Sequence, residues 1–119
     1  MKLVGFLCVC LVVANSATAT ESKVELHCAT GPVTRSYGGA PWLVHSCTDG
    51  KSLVFTAAHG NPAAPFEFDL TYTGRGYDLD GKGTGKGQAT DAAYADLQKL
   101  KGADIRALIK ATQSVKGTD

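Results

Sequence analysis

Strong charge of either sign is missing from this 119-residue sequence, and so is an apolar run long enough to cross a bilayer. Lysine and arginine total 12 against 11 aspartate and glutamate residues, and no block of like charge occurs. Nucleic acids and anionic membrane surfaces attract clustered basic residues, so the sequence predicts neither as a partner. The apolar run over residues 3–14 is too short for a transmembrane helix, which needs roughly 20 residues.

That apolar run is typical of a secretory signal peptide. Lys2 gives a basic start, and Ala17-Thr18-Ala19 gives a small-residue cleavage site. We expect residues 1–19 to be a signal peptide, and residues 20–119 to form a single exported α+β domain, periplasmic or secreted, with no membrane span. Loss of Lys2 leaves eleven basic and eleven acidic residues, so the formal net charge becomes zero.

Cysteine is scarce, with four residues in all, of which Cys8 and Cys10 would leave with the signal peptide. The remaining pair, Cys28 and Cys47, is expected to form one disulfide in an oxidising compartment. Closing that loop stabilises a fold by about 3 kcal/mol on the chain-entropy estimate. A free catalytic thiol is the alternative reading of the same two residues.

Alternation of apolar and polar residues predicts an antiparallel β-meander of five to six short strands. The Asp49-Gly50 pair lies between two strand-like runs within residues 42–58 and predicts a hairpin with a two-residue turn. In that register Val44 faces Phe55 and Trp42 faces Ala57. The other predicted strands are 24–28, 33–37, 66–73 and 77–80.

From residue 90 the apolar spacing becomes helical. Thr90 is the predicted N-cap of a first helix that ends at Gly102, and a second helix begins near Asp104. Strands followed by helices are typical of an α+β fold in which the two C-terminal helices cover the apolar sheet face. Residues 81–87 have glycine at every second position, which predicts a mobile loop or a ragged sheet edge.

Residues 54–59, Val-Phe-Thr-Ala-Ala-His, resemble the segment around the general base of trypsin-like serine proteases. Asp104 follows at a family-like spacing, so the resemblance implies His59 as the base and Asp104 as its orienting carboxylate. However, the sequence contains no Gly-Asp-Ser-Gly-Gly nucleophile segment, and Gly60 stands where those enzymes usually have cysteine. A His–Asp pair without a nucleophile and an oxyanion hole cannot carry out acyl transfer, so His59 is interpreted as a loop histidine.

Zinc is the other chemical alternative, because His27, Cys28, His45 and Cys47 are all residue types that bind it. Adjacent strand residues point to opposite faces, so His45 and Cys47 share a face but His27 and Cys28 do not. A disulfide would also compete for the thiolates. The sequence therefore predicts no metal and no cofactor.

Two tyrosines beside glycine-rich turns, Tyr37 and Tyr77, have no evident core partner in the sequence pattern. With His45 and His59 they form the predicted binding surface. The resulting functional hypothesis is a monomeric, non-enzymatic exported domain that binds an unidentified protein or envelope component. The alternative is a hydrolase-like or zinc-binding protein that uses His59 or His45.

Overall fold

The computed structural model describes residues 26–85 and 87–115, which form an antiparallel sheet followed by two helices. Each strand pairs with its neighbours in sequence, in the order β1-β2-β3-β4-β5. This is the expected α+β meander, with five strands. The predicted signal peptide lies outside the described residues. The elements are β1 (Thr30–Tyr37), β2 (Ala40–Ser46), β3 (Leu53–Ala57), β4 (Phe66–Tyr72), β5 (Tyr77–Gly83), α1 (Gln88–Leu97) and α2 (Gly102–Gln113).

One face of the sheet, here called the inner face, carries the core and packs against both helices. Trp42, Phe55 and Phe68 are at most 2% exposed and lie at the centre of this core. Burying three large aromatic side chains supplies much of the hydrophobic stabilisation available to a domain of this size. The helices contribute the apolar stripes expected from their spacing, namely Ala93, Leu97, Ile105, Leu108 and Ile109.

A buried polar contact fixes α2 against β2. Thr112 Oγ1 lies 2.7 Å from Ser46 Oγ and 2.7 Å from the Ile109 carbonyl oxygen. Because a hydroxyl has one proton, Thr112 donates to the Ile109 carbonyl and accepts from Ser46. The two side chains satisfy each other and hold one register of helix on sheet.

The hairpin register is confirmed, with Val44 opposite Phe55 and Trp42 opposite Ala57. The prediction of a two-residue turn was wrong. The Gly50 N–H donates to the Cys47 carbonyl within a wider loop. Asp49 holds this loop by accepting hydrogen bonds from the backbone of residues 51 and 52. A two-residue turn and a four-residue loop over 48–51 give the same register.

The predicted first strand, 24–28, is not found in its described part, since residues 26–29 are irregular and β1 begins at Thr30. Residues 24 and 25 lie outside the described residues. A single backbone hydrogen bond, from Thr48 N to the His27 carbonyl at 2.9 Å, joins this segment to the β2–β3 loop. A β-strand needs a series of such backbone hydrogen bonds to a neighbouring strand, and the alternation of apolar and polar residues does not supply them.

The predicted start and the predicted end of α1 were both wrong. Thr90 lies inside α1 and its hydroxyl donates to the Gly85 carbonyl, while Gly87 occupies the N-cap position. Gly102 starts α2 instead of ending α1. Helix α1 ends earlier, at Leu97. A glycine at the junction of two helices can end one helix or begin the next.

The glycines of residues 81–83 belong to strand β5 rather than to a loop. A Cβ atom on Gly81 would lie 2.8 Å from Phe66 Cε1 and 3.0 Å from Phe68 Cε1. Glycine fits here because a Cβ atom would lie too close to two core rings. The mobile-loop prediction is therefore wrong for residues 81–83, whereas the alternative prediction of a sheet edge agrees with their place in edge strand β5.

Gly81→Ala is expected to lower the free energy of unfolding by about 1–3 kcal/mol, because the new methyl group displaces the Phe66 and Phe68 rings. Urea denaturation followed by far-ultraviolet circular dichroism measures the change. Gly76→Ala is the matched control, since nothing lies within 4 Å of its Cβ position and a surface change alters stability by about 0.5 kcal/mol or less. Equal stability of the two variants would contradict this account.

The disulfide between Cys28 and Cys47 is present, with an S–S distance of 2.04 Å. It fastens the irregular segment before β1 to the end of β2. In the part of the chain that the structure describes, no helix is long and apolar enough to span a membrane.

Replacing both cysteines by alanine is expected to cost about 3 kcal/mol of unfolding free energy, because the unfolded chain regains conformational freedom. The denaturation midpoint of the double variant should match that of the reduced wild-type protein. Two reactive thiols in denatured, unreduced protein that lacks residues 1–19 would rule out the bridge.

Candidate functional site

The sheet face opposite the helices, here called the outer face, contains an open depression of about 480 Å³. The residues at its centre, His45, Val54, Thr56, Glu67 and Asp69, are half-buried although both helices pack on the other side. We call it the outer-face depression. The residues that matter for its chemistry are Leu26, His45, Val54, Thr56, Glu67 and Asp69.

Strand register arranges these residues in two parallel rows across the sheet. One row runs His45, Val54, Asp69 and Asp80 from β2 to β5. The neighbouring row runs Leu43, Thr56, Glu67 and Lys82. The side-chain period of two brings the rows onto one face and places the two carboxyl groups of β4 side by side.

Lys82 bridges the two carboxyl groups from the neighbouring strand. Its Nζ lies 3.0 Å from Asp69 Oδ2 and 3.9 Å from Glu67 Oε2. Asp69 Oδ1 is enclosed and has no hydrogen-bond partner among the described residues. One lysine therefore leaves a carboxylate oxygen without a donor.

The pKa of Glu67 is raised to about 7. The largest cause is a hydrogen bond from the protonated Glu67 to the Asp69 side chain, followed by burial and by repulsion from Asp69, while Lys82 lowers the pKa. A proton on Glu67 supplies the donor that the Asp69 carboxylate otherwise lacks. Near neutral pH the pair therefore gains or loses one proton.

His45 lies at the far side of the depression, and burial lowers its pKa. Two strand spacings separate its backbone from that of Asp69, about 10 Å, so the imidazole is not part of the carboxyl pair. Within the described residues no group of three or more His, Cys, Asp or Glu side chains is arranged to hold a metal ion. The disulfide also removes Cys28 and Cys47 as thiolate ligands.

The two tyrosines lie on the inner face, away from His45. Tyr37 packs edge-to-face on Phe55 at 5.4 Å, and burial raises its pKa. Tyr77 lies 5.3 Å from the Tyr72 ring and donates from its hydroxyl to the Lys51 carbonyl at 2.8 Å. Each tyrosine thus has a packing partner that the sequence pattern did not reveal.

His59 is exposed in the turn that follows β3. Asn61 anchors this loop by donating to the Pro41 carbonyl at 2.7 Å. Asp104 accepts a hydrogen bond from Lys101 N at 2.8 Å in the first turn of α2. The carboxylate that the protease resemblance pairs with His59 thus has a local capping role at the start of α2.

The structure does not gather the four predicted binding residues into one surface. The outer-face depression contains His45, but its chemistry depends on Thr56, Glu67 and Asp69 and on Lys82 beside them, which the sequence pattern did not indicate as a site. A signal was present, since Glu67 and Asp69 share one face of a strongly alternating strand. Like charges so placed repel each other and are uncommon without a compensating partner.

Comparison with protein-family models, with curated proteins and with solved structures finds no match to this chain.

The Glu67 side chain is expected to titrate with a midpoint of about 7, measured from its carboxyl carbon by NMR in the folded protein. Lys82→Ala should raise that midpoint, because it removes the positive charge that favours the ionised form. Lys99→Ala, which removes an exposed lysine after α1, should leave it unchanged. A midpoint near 4.5 in the wild-type protein would refute the proton-sharing pair.

The same titration affects stability in a defined direction. The folded protein binds the Glu67 proton more tightly than the unfolded chain, so the contribution is complete below about pH 4.5 and is lost as the pH rises through about 7. Solvent reduces its size, because the side chain is 36% exposed. Glu67→Gln should flatten this part of the stability profile, as measured by urea denaturation between pH 4 and pH 8.

Proposed function

We propose that this protein is a small exported domain, periplasmic or secreted, that binds a protein or another envelope component through its outer face. The observation that carries the proposal is the uncovered outer face itself. Val54 and Thr56 are half-buried there in a concave surface although the helices lie on the other side. Concave, partly apolar surfaces with a few converging polar groups are typical of binding sites.

The charged groups of the depression favour recognition over catalysis. Glu67, Asp69 and Lys82 interact with one another, and His45 stands about two strands away. A nucleophile and its base need direct hydrogen-bond contact, and the register separates the groups that could take those roles. This arrangement supports a binding domain rather than the hydrolase-like alternative.

Site-specific photo-crosslinking tests the proposal. A benzoylphenylalanine at position 56 should yield a discrete adduct in cells that express the full precursor, because Thr56 lies in the outer-face depression. The control position is Gln113, exposed at the end of α2. Mass spectrometry of the recovered protein should also show an N-terminus near Thr20.

Adducts of equal yield from both positions, or none from position 56, would contradict the outer face as the binding surface. Retention of residues 1–19 in the recovered protein would contradict export by a cleaved signal. The two results are independent, so the compartment and the surface are tested separately.

A further inference from the structure

A second depression adjoins the first at the margin of the sheet, where the ends of β3 and β5 meet the start of β4. It has a volume of about 610 Å³ and is lined largely by apolar groups, including Ala57, Ala64 and Pro65. Thr56 and Glu67 line both depressions, so the two lie side by side. We call the second one the apolar hollow.

The outer face of β4 and β5 is acidic. Glu67, Asp69, Asp78 and Asp80 lie there, and Lys82 is the basic residue among them. The Glu67 side chain is 36% exposed and the Asp69 side chain is 25% exposed, so both carboxyl groups reach the surface. The Lys82 side chain is 65% exposed, so little packing holds it against the carboxyl pair. The surface is therefore complementary to a cation that brings its own N–H donors.

We propose that the outer-face depression and the apolar hollow together bind one extended polypeptide segment that carries a basic side chain beside an apolar one. The basic group would lie against Glu67 and Asp69, and the apolar side chain would enter the hollow beside Pro65. This inference rests on the proposed function and names the chemistry of the partner. The shared wall at Thr56 and Glu67 lets neighbouring side chains of one segment reach both depressions.

Charge and shape each contribute to this choice. A guanidinium or ammonium group offers several N–H donors, and hydrogen bonds between oppositely charged groups are the stronger kind. Side chains two apart on an extended segment point the same way about 7 Å apart, a spacing suited to two adjoining depressions. A purely apolar partner would remove the charged carboxyl pair from water and offer no donor of its own, which costs binding energy.

The probe is the peptide acetyl-Leu-Thr-Arg-Thr-Leu-amide, titrated into the exported protein and followed by amide NMR. We expect saturable shifts at residues 54–56 and 67–69 with the α2 amides unmoved. The matched peptide with citrulline in place of arginine keeps the shape and loses the charge, and should bind about tenfold more weakly. This comparison needs no protein variant.

Two protein variants separate the carboxyl pair from general charge. Asp69→Asn should weaken binding of the arginine peptide by about tenfold. Asp91→Asn is the charge-matched control, because Asp91 is exposed in the first turn of α1, and it should bind like the wild-type protein. Equal loss in both variants would reduce the effect to net charge and overturn the inference.

Other outcomes also overturn it. Three of these are equal binding of the two peptides, chemical-shift changes confined to the helices, and absence of saturation. The fourth is a change in the outer-face shifts when the protein is diluted without peptide, which would indicate that a second copy of the chain binds this face. A position-56 adduct together with failed peptide binding would leave the proposed function intact and reject only the partner chemistry. Peptide binding without an adduct from position 56 would support the partner chemistry and reject the proposed function.

Discussion

Two helices can exclude water from only one face of a five-stranded sheet, and this constraint determines the character of both faces. The inner face concentrates the large side chains, with Trp42, Phe55 and Phe68 at its centre. Neither helix packs on the outer face, and its strands alternate toward polar and charged residues. Its depression, where Val54 is half-buried, has the disulfide-bonded Cys28 and Cys47 among its lining residues.

Placing Glu67 and Asp69 side by side has a cost that the surrounding residues offset. Two ionised carboxyl groups on one strand face repel each other, and burial increases that repulsion. Lys82 of the neighbouring strand reduces this repulsion with its positive charge. A proton held on Glu67 near neutral pH reduces it further, because it neutralises one of the two carboxyl groups. The cluster is thus balanced by exchangeable partners, one proton and one flexible lysine, rather than by fixed ones.

Sequence patterns predicted the fold well where they involve strict periodicity. The alternation of residues 66–72 and the helical stripe through Ile105 and Leu108 follow directly from side-chain direction in a strand and a helix. The boundaries near Gly102 and the glycines of β5 could not be predicted, because both depend on what packs nearby. In the sequence Gly81 predicts a loop, whereas in the structure it makes room in a strand for the Phe66 ring.

The candidate site was less predictable for a related reason. Glu67 and Lys82 become neighbours through pairing of β4 with β5, and the depression they line exists only when β2 and β3 lie beside them. No single stretch of sequence contains the cluster. His45 was selected for its chemistry alone, whereas its position two strands away from Asp69 follows from the order of the sheet.

The meander order also has a consequence for how the chain reaches this structure. Every strand pairs with the one before it, so the sheet assembles from local contacts of the kind that form quickly. The contact of α2 with β2 is different, since Thr112 and Ser46 are separated by 66 residues. The Gly38 N–H likewise donates to Asp96 Oδ2 of α1, 58 residues away. Docking of the two helices is therefore the long-range closure, and until it occurs the inner face remains open to solvent and to other chains.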